Sequence, residues 1–187
     1  MTKTNRIPRV ILINGPGAVG KTTLVELLCK KLPQPCIRIN IDEIRHLITS
    51  RKQFPEISYP VARKFTKRIL EEAVSDGFDV VIDKMLFDEP SYGEMASAID
   101  IYRSVTLAQG GIFFEFILMA DEDTLMKRAE KRGFRPDGSV TPTTVIEFHN
   151  AMKEFLTTRK DAIIIKTDNL NPPETLAYIW KIIENAS

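Results

Sequence analysis

Eight consecutive residues, Gly15-Pro16-Gly17-Ala18-Val19-Gly20-Lys21-Thr22, fit the pattern G-x-x-x-x-G-K-[ST] of a phosphate-binding loop. Gly17 and Gly20 let bare backbone come close to an anion, so that the loop's N–H groups converge on phosphate oxygens. A helix expected from Lys21 would aim the positive end of its dipole at the same point. Lys21 can reach the β- and γ-phosphates of a nucleotide, and Thr22 can offer a hydroxyl to Mg²⁺. With Thr23 these residues form the expected nucleotide-binding set, and ATP and Mg²⁺ are the expected cofactors. From average composition the pattern arises by chance in under about 1% of chains this long. Here the strand and helix that it requires also flank it.

Two carboxylates fall where the same site needs them. Asp42 follows an apolar run at 36–41, at the mouth of the phosphate site. There it can take the proton of an acceptor hydroxyl attacking the γ-phosphorus, or cap the helix that begins beside it. Arg45 lies one helical turn on, placed to hold the acceptor or the transferring phosphoryl group. Asp83 ends the run Val80-Val81-Ile82 and is expected to hold Mg²⁺ through water, together with Thr22, or to orient the acceptor. Lys84 beside it reads as a solvated surface charge. Arg128, Arg132 and Arg135 lie in the basic segment KRAEKRGFRP at 127–136. Arg128 and Arg132 share a helix face, and a polar loop at 133–141 follows them. A lid over about 127–142 would deliver these arginines to the charge spread over the phosphoryl oxygens. The alternative is a solvated helix end whose cations favour the dipole.

The elements that position these residues alternate between strand and helix. Strands are expected over 10–14, 36–41, 80–82, 113–119 and 162–166. Helices are expected over 21–32, briefly from Asp42, then over 61–74, 94–109, 122–131, 143–158 and 172–185. In the 21–32 helix Leu24, Leu27, Leu28 and Leu32 share one side; in the 61–74 helix Ile69, Ala73 and Val74 belong to the apolar face. Such alternation predicts an α/β fold: a five-stranded parallel sheet with helices on both faces and a short arginine-bearing lid. Ligands in these sheets sit beyond the carboxyl ends of the strands, where Gly15, Asp42 and Asp83 fall.

The 187 residues carry no linker or repeat and predict one domain over 1–187. Apolar residues make up 43% and the formal charge is +1, so no global pull toward nucleic acid or membrane exists. The N-terminus lacks a signal-peptide run, and the apolar stretch 112–120 is too short to cross a bilayer and contains Glu115. Cys29 and Cys36 read as two buried free thiols in a reducing cytoplasm, with no zinc pattern.

The loop alone gives nucleotide binding rather than a reaction. A GTPase would want N/T-K-x-D; Lys166-Thr167-Asp168 has the wrong order. A motor ATPase usually needs more chain. The phosphate loop, Asp42-x-x-Arg45, Asp83 and Lys127-Arg128-Ala129-Glu130-Lys131-Arg132-Gly133 together resemble one branch of the P-loop kinases. That branch holds phage-type polynucleotide 5′-hydroxyl kinases, chloramphenicol phosphotransferase and zeta-toxin-like kinases. The apolar Met85-Leu86-Phe87 after Asp83 looks closer to the chloramphenicol phosphotransferase version. The resemblance implies a kinase with Asp42 as general base, Arg45 as an acceptor or phosphoryl contact, and Arg128 and Arg132 as nucleotide or transition-state contacts. It also implies that Thr167, Asp168 and Asn169 back the adenine. The expected acceptor is a small-molecule hydroxyl, with a nucleic-acid 5′ end as the alternative and a nucleotide-dependent switch without transfer third. His46 and His149 read as surface or packed histidines, and Trp180 as core. Phe54, Tyr59, Phe87 and Tyr92 either wall the acceptor pocket or simply pack.

Overall fold

Val10, Ile11, Leu12 and Ile13 are consecutive and all fully buried, so the strand that holds them, β1 (Arg9–Asn14), is covered on both faces. The computed structural model describes residues 6–33, 35–87, 95–134 and 140–186. It follows β1 with α1 (Lys21–Lys31), β2 (Cys36–Asn40), α2 (Ile41–His46), α3 (Pro55–Ser75) and β3 (Asp79–Asp83). Then come α4 (Met95–Ala108), β4 (Ile112–Met119), α5 (Glu122–Arg132), α6 (Pro142–Leu156), β5 (Ile163–Lys166) and α7 (Pro172–Asn185). The strands form one all-parallel sheet in the order β2-β3-β1-β4-β5. The α/β class, the five parallel strands and the helices on both faces agree with the sequence pattern. Glu94, Tyr92 and Arg135 lie outside the described residues.

Alternate residues of each strand feed opposite layers. Val10, Leu12, Val80 and Ile82 pack with α3 and α4 through Ala62, Leu70, Ile99 and Tyr102. Ile11, Ile13 and Val81 pack with α1, α5 and α7 through Leu24, Leu28, Leu125 and Ile179. The helix after β1 thus covers one face and the helix after β3 the other. A crevice opens between such neighbours at the carboxyl edge, where α/β sheets take ligands. Register puts Ile13 opposite Asp83, and Asp83 opposite Asn40, so Gly15, Asp83 and α2 meet at that edge.

Helix α3 begins at Pro55, six residues before the expected start at 61. The helix runs through Pro60, with Pro55 in its first turn. The added turn carries Ser58 and Tyr59, which the site uses. Ile69 is 39% exposed rather than part of the buried face, which is made by Ser58, Ala62, Thr66, Leu70, Ala73 and Val74. Cys29 and Cys36 are free, as expected, but half-buried rather than buried. Glu115, the charge inside the apolar stretch, is buried on β4 and matched there: Arg159 donates to both of its oxygens at 3.0 and 2.8 Å, and Arg103 donates at 3.0 Å. Among the described residues no helix is long and apolar enough to cross a membrane.

His149 on α6 is a packed histidine, 2% exposed, with Nδ1 lacking a hydrogen-bond partner. Burial lowers its pKa below 6.5, reinforced by Lys153, while Glu122 and Asp121 oppose the shift. A depressed folded pKa means that the unfolded chain binds the proton more readily, so this contribution to stability is present above 6.5 and lost as pH falls below it. The melting temperature of a His149→Leu variant should therefore fall less steeply than that of the wild type between pH of about 6.5 and 5. Parallel melting curves across that window would refute the assignment.

Candidate active site

The phosphate loop starts from a buried amide. Asn14 Nδ2 donates to the Leu86 carbonyl at 2.7 Å, while Oδ1 accepts from the N–H groups of Gly15 and Leu86 at 2.8 Å each. One side chain thus fastens the loop's first residue to the segment leaving β3. Gly15 has φ +142°, and a Cβ there would lie 2.4 Å from the Leu118 carbonyl oxygen, so the loop passes too close to β4 for any side chain. Gly20 precedes α1 with φ 100° and supplies no side-chain cap, leaving first-turn N–H groups of the helix for an anion.

Lys21 Nζ donates to the carbonyls of Gly15 and Pro16, each at 2.8 Å, so its ammonium sits inside the curl of the loop. The side chain as a whole is half-buried, but its charged end is enclosed. Burial lowers its pKa to about 8; Lys84 and Arg132 push the same way, and Asp83 and Asp42 oppose them. Those four residues are therefore the electrostatic neighbours of the phosphate cradle. Arg132, expected to reach the site from the lid, is exposed at the end of α5 on that side.

Thr22 Oγ1 donates to Asp83 Oδ2 at 3.2 Å, and Arg38 approaches the same oxygen at 3.4 Å. Asp83 is buried, not a solvated strand end. A hydroxyl and a carboxylate side by side at the phosphate loop fit Mg²⁺, which takes few protein oxygens and fills its octahedron with phosphate and water. Among the described residues no group of three acidic, histidine or cysteine side chains offers a protein-only cage.

Asp42 is not the cap of α2. Asn40 takes that role, its side chain accepting from the N–H groups of Asp42 and Glu43 at 3.0 and 3.3 Å. The Asp42 carboxylate is left to point elsewhere and receives a hydrogen bond from Lys84 Nζ at 2.5 Å. Lys84 was expected as a solvated surface charge; instead its side chain is 11% exposed. The sequence reading failed because the partner lies 42 positions away. Arg45 donates to Ser58 Oγ at 3.0 Å and Tyr59 Oη at 2.9 Å, reaches the Arg51 carbonyl at 3.4 Å, and lies over the Tyr59 ring at 3.8 Å. It locks α2 onto the first turns of α3 and turns Tyr59 toward Lys84, whose ammonium is 6.0 Å from the same ring. Phe54 is exposed, whereas Phe87 is buried against Phe148 at 5.8 Å between ring centres.

Arg128 donates to Thr167 Oγ1 at 3.0 Å and to its carbonyl at 2.6 Å, which fastens α5 to the exit of β5. Asp168 accepts from the Asp121 N–H at 2.6 Å and closes the same corner. Arg128 and Thr167 of the expected adenine-side set therefore meet. Arg132, four residues on, is exposed at the end of α5. Replacing it by lysine keeps the charge but loses the planar fork, and should slow phosphoryl transfer about ten- to a hundredfold. A rate within about twofold of wild type in single-turnover assays would assign Arg132 to the solvated helix end.

Asn14, Arg38 and Lys84 are the site residues that sequence reasoning missed. Asn14 and Lys84 flank recognised elements, before Gly15 and after Asp83, and Arg38 lies in the middle of β2; none of the three positions carries a motif of its own.

Residues 10–156 match the family model described as AAA domain. No relative among curated proteins matches the sequence. Solved structures do match it over nearly the whole chain. Thymidylate kinase from Candida albicans aligns at TM-score 0.67 and 17% identity, covering 98% of this chain and 94% of that one. The tunicamycin resistance protein of Deinococcus radiodurans aligns at 0.63 and 18%, covering 95% and 96%. A gluconokinase from Sinorhizobium meliloti aligns at 0.62 and 17%, covering 97% of each. At these identities the likeness is one of fold alone.

Proposed function

The chain belongs to the AAA domain family that its residues 10–156 match, and from that premise we propose that it is an ATP-dependent phosphotransferase acting on a hydroxyl of a small molecule. The observation that carries this reading is Asp42: half exposed at 51%, relieved of capping by Asn40, and close enough to Lys21 to act on its charge. A carboxylate so placed accepts the proton of an acceptor hydroxyl while the new O–P bond forms. The bond from the γ-phosphorus to the β,γ-bridging oxygen breaks, and its electron pair leaves with ADP. Lys21 and Arg132 stabilise the charge that gathers on the phosphoryl oxygens. Thr22 and Asp83 would hold Mg²⁺, which supplies neutralisation of the β- and γ-phosphates when bound. Arg128 and the 167–169 segment form the adenine side, and the whole acts as one domain; residues 135–139 of the expected lid at about 127–142 lie outside the described residues.

Two readings of the acceptor compete within the branch that the motifs resemble. A polynucleotide 5′ end would need a track of cations to follow its phosphates. Three cations of this region are already engaged: Lys84 with Asp42, Arg38 with Asp83, and Arg45 with α3. That engagement favours the small molecule. The test is incubation with γ-labelled ATP, offering a panel of hydroxylated metabolites and antibiotics beside 5′-hydroxyl DNA and RNA oligonucleotides. Labelling of a small molecule is expected. Efficient labelling of oligonucleotide ends, with affinity falling steeply as salt rises, would put the polynucleotide reading in its place.

A further inference from the structure

We infer that Lys84 is a positioning residue for the transfer step, holding the Asp42 carboxylate aimed at the acceptor; the inference rests on the phosphotransferase reading above. The two members of the pair are unequal. The Lys84 side chain is 11% exposed and the Asp42 side chain 51%, so the cation is the fixed member and the carboxylate the member that faces arriving substrate. Lys84 is fixed at both ends. Its backbone N–H approaches the Ile13 carbonyl at 3.4 Å, on the strand that enters the phosphate loop. Its ammonium meets Asp42 Oδ1 at 2.5 Å, and the Tyr59 ring lies 6.0 Å away, itself held by Arg45.

An ammonium this enclosed is costly without an anion, and Asp42 supplies it. The hydrogen bond occupies one carboxylate oxygen, Oδ1, and leaves Oδ2 for the acceptor's proton. Lys84 also belongs to the charge set around Lys21, where two cations face Asp42 and Asp83. The arrangement keeps Asp42 from turning to Lys21. That ammonium is thereby kept for the γ-phosphate, while the base is kept at the acceptor side. A purely structural salt bridge would instead only fasten α2 to the end of β3, and it would act on stability without regard to Asp42's chemistry.

The experiment uses Mg-ATP with water as the acceptor, under single-turnover conditions with excess full-length protein, so that slow hydrolysis is measurable. A fluorescent ATP analogue gives nucleotide affinity. Lys84→Met should slow hydrolysis about ten- to a hundredfold with affinity kept within about twofold. Lys84→Arg, which keeps the cation, should recover most of that loss. In the Asp42→Asn background Lys84→Met should cost nothing further, because the group it positions can no longer take a proton. Equal impairment by methionine and arginine, or losses that multiply with Asp42→Asn, would overturn the assignment and leave a structural tie. Should Lys84→Met fail to fold, Lys84→Gln in the same cycle decides. Unimpaired hydrolysis by a Lys21→Ala protein would instead overturn the phosphotransferase reading itself.

Discussion

Lys21→Ala should lower phosphoryl transfer from Mg-ATP by about a thousandfold or more while the protein stays folded. The ammonium lies at the centre of the loop, bonded among the described residues to the Gly15 and Pro16 carbonyls, which water can satisfy once the side chain is gone. Its enclosure is unfavourable to charge, as the pKa lowered to about 8 by burial shows, so truncation removes a strained group from the nucleotide-free protein. The melting temperature should accordingly stay level or rise. When a triphosphate occupies the loop the same ammonium gains the anionic partner it lacks, and this differential interaction is what the variant loses. Single-turnover transfer and a thermal melt on one preparation check both halves. Full turnover in the variant would remove the central claim about the loop.

Asp42→Asn should lower turnover about a hundred- to ten-thousandfold and leave nucleotide affinity nearly unchanged. Asparagine has the shape of aspartate but cannot take the acceptor's proton. Helix α2 keeps its cap, because Asn40 provides it, so the loss cannot be ascribed to unravelling of the first turn. Some stability is expected to go with the ion pair, since Lys84 is left enclosed without its anion. Melting and turnover therefore need to be read together. ATP binding lost, with turnover per bound ATP unchanged, would make Asp42 a nucleotide contact instead.

What could be read from sequence was what is local in the chain. The phosphate loop is eight adjacent residues whose geometry needs glycine at stated places, and the structure shows why at Gly15, where a Cβ would strike the Leu118 carbonyl. The strands could be read because burial on both faces demands unbroken apolar runs such as Val10 to Ile13. The start of α3 could not, because Pro60 normally marks a boundary; only the packing of Ser58 and Tyr59 against Arg45 shows that the helix needs the earlier turns. Lys84 was misread for a related reason. A lysine after a strand-end aspartate is usually solvated, and the 42-residue separation from Asp42 hides the pairing. Arg45 shows a limit of spacing arguments: three residues from Asp42 does place it nearby, but its donors go to Ser58, Tyr59 and Arg51.

The three bonds of Asn14 set a rule for how this chain can diverge. Its amide must donate to the Leu86 carbonyl and accept from two N–H groups at once. Aspartate at neutral pH lacks the donor, leucine lacks both functions, and serine is too short to span the gap. Each leaves buried backbone groups unmatched, at about 1–3 kcal/mol apiece. The apolar neighbours Leu12 and Ile13 can drift among similar side chains, but residue 14 has in effect a one-letter alphabet. The same joint ties together the inheritance of the two halves it connects. A recombinant that takes its phosphate loop from one ancestor and its acceptor wall from another must bring residue 14 and the backbone at 86 in matching form, or begin life with a fault at the seam.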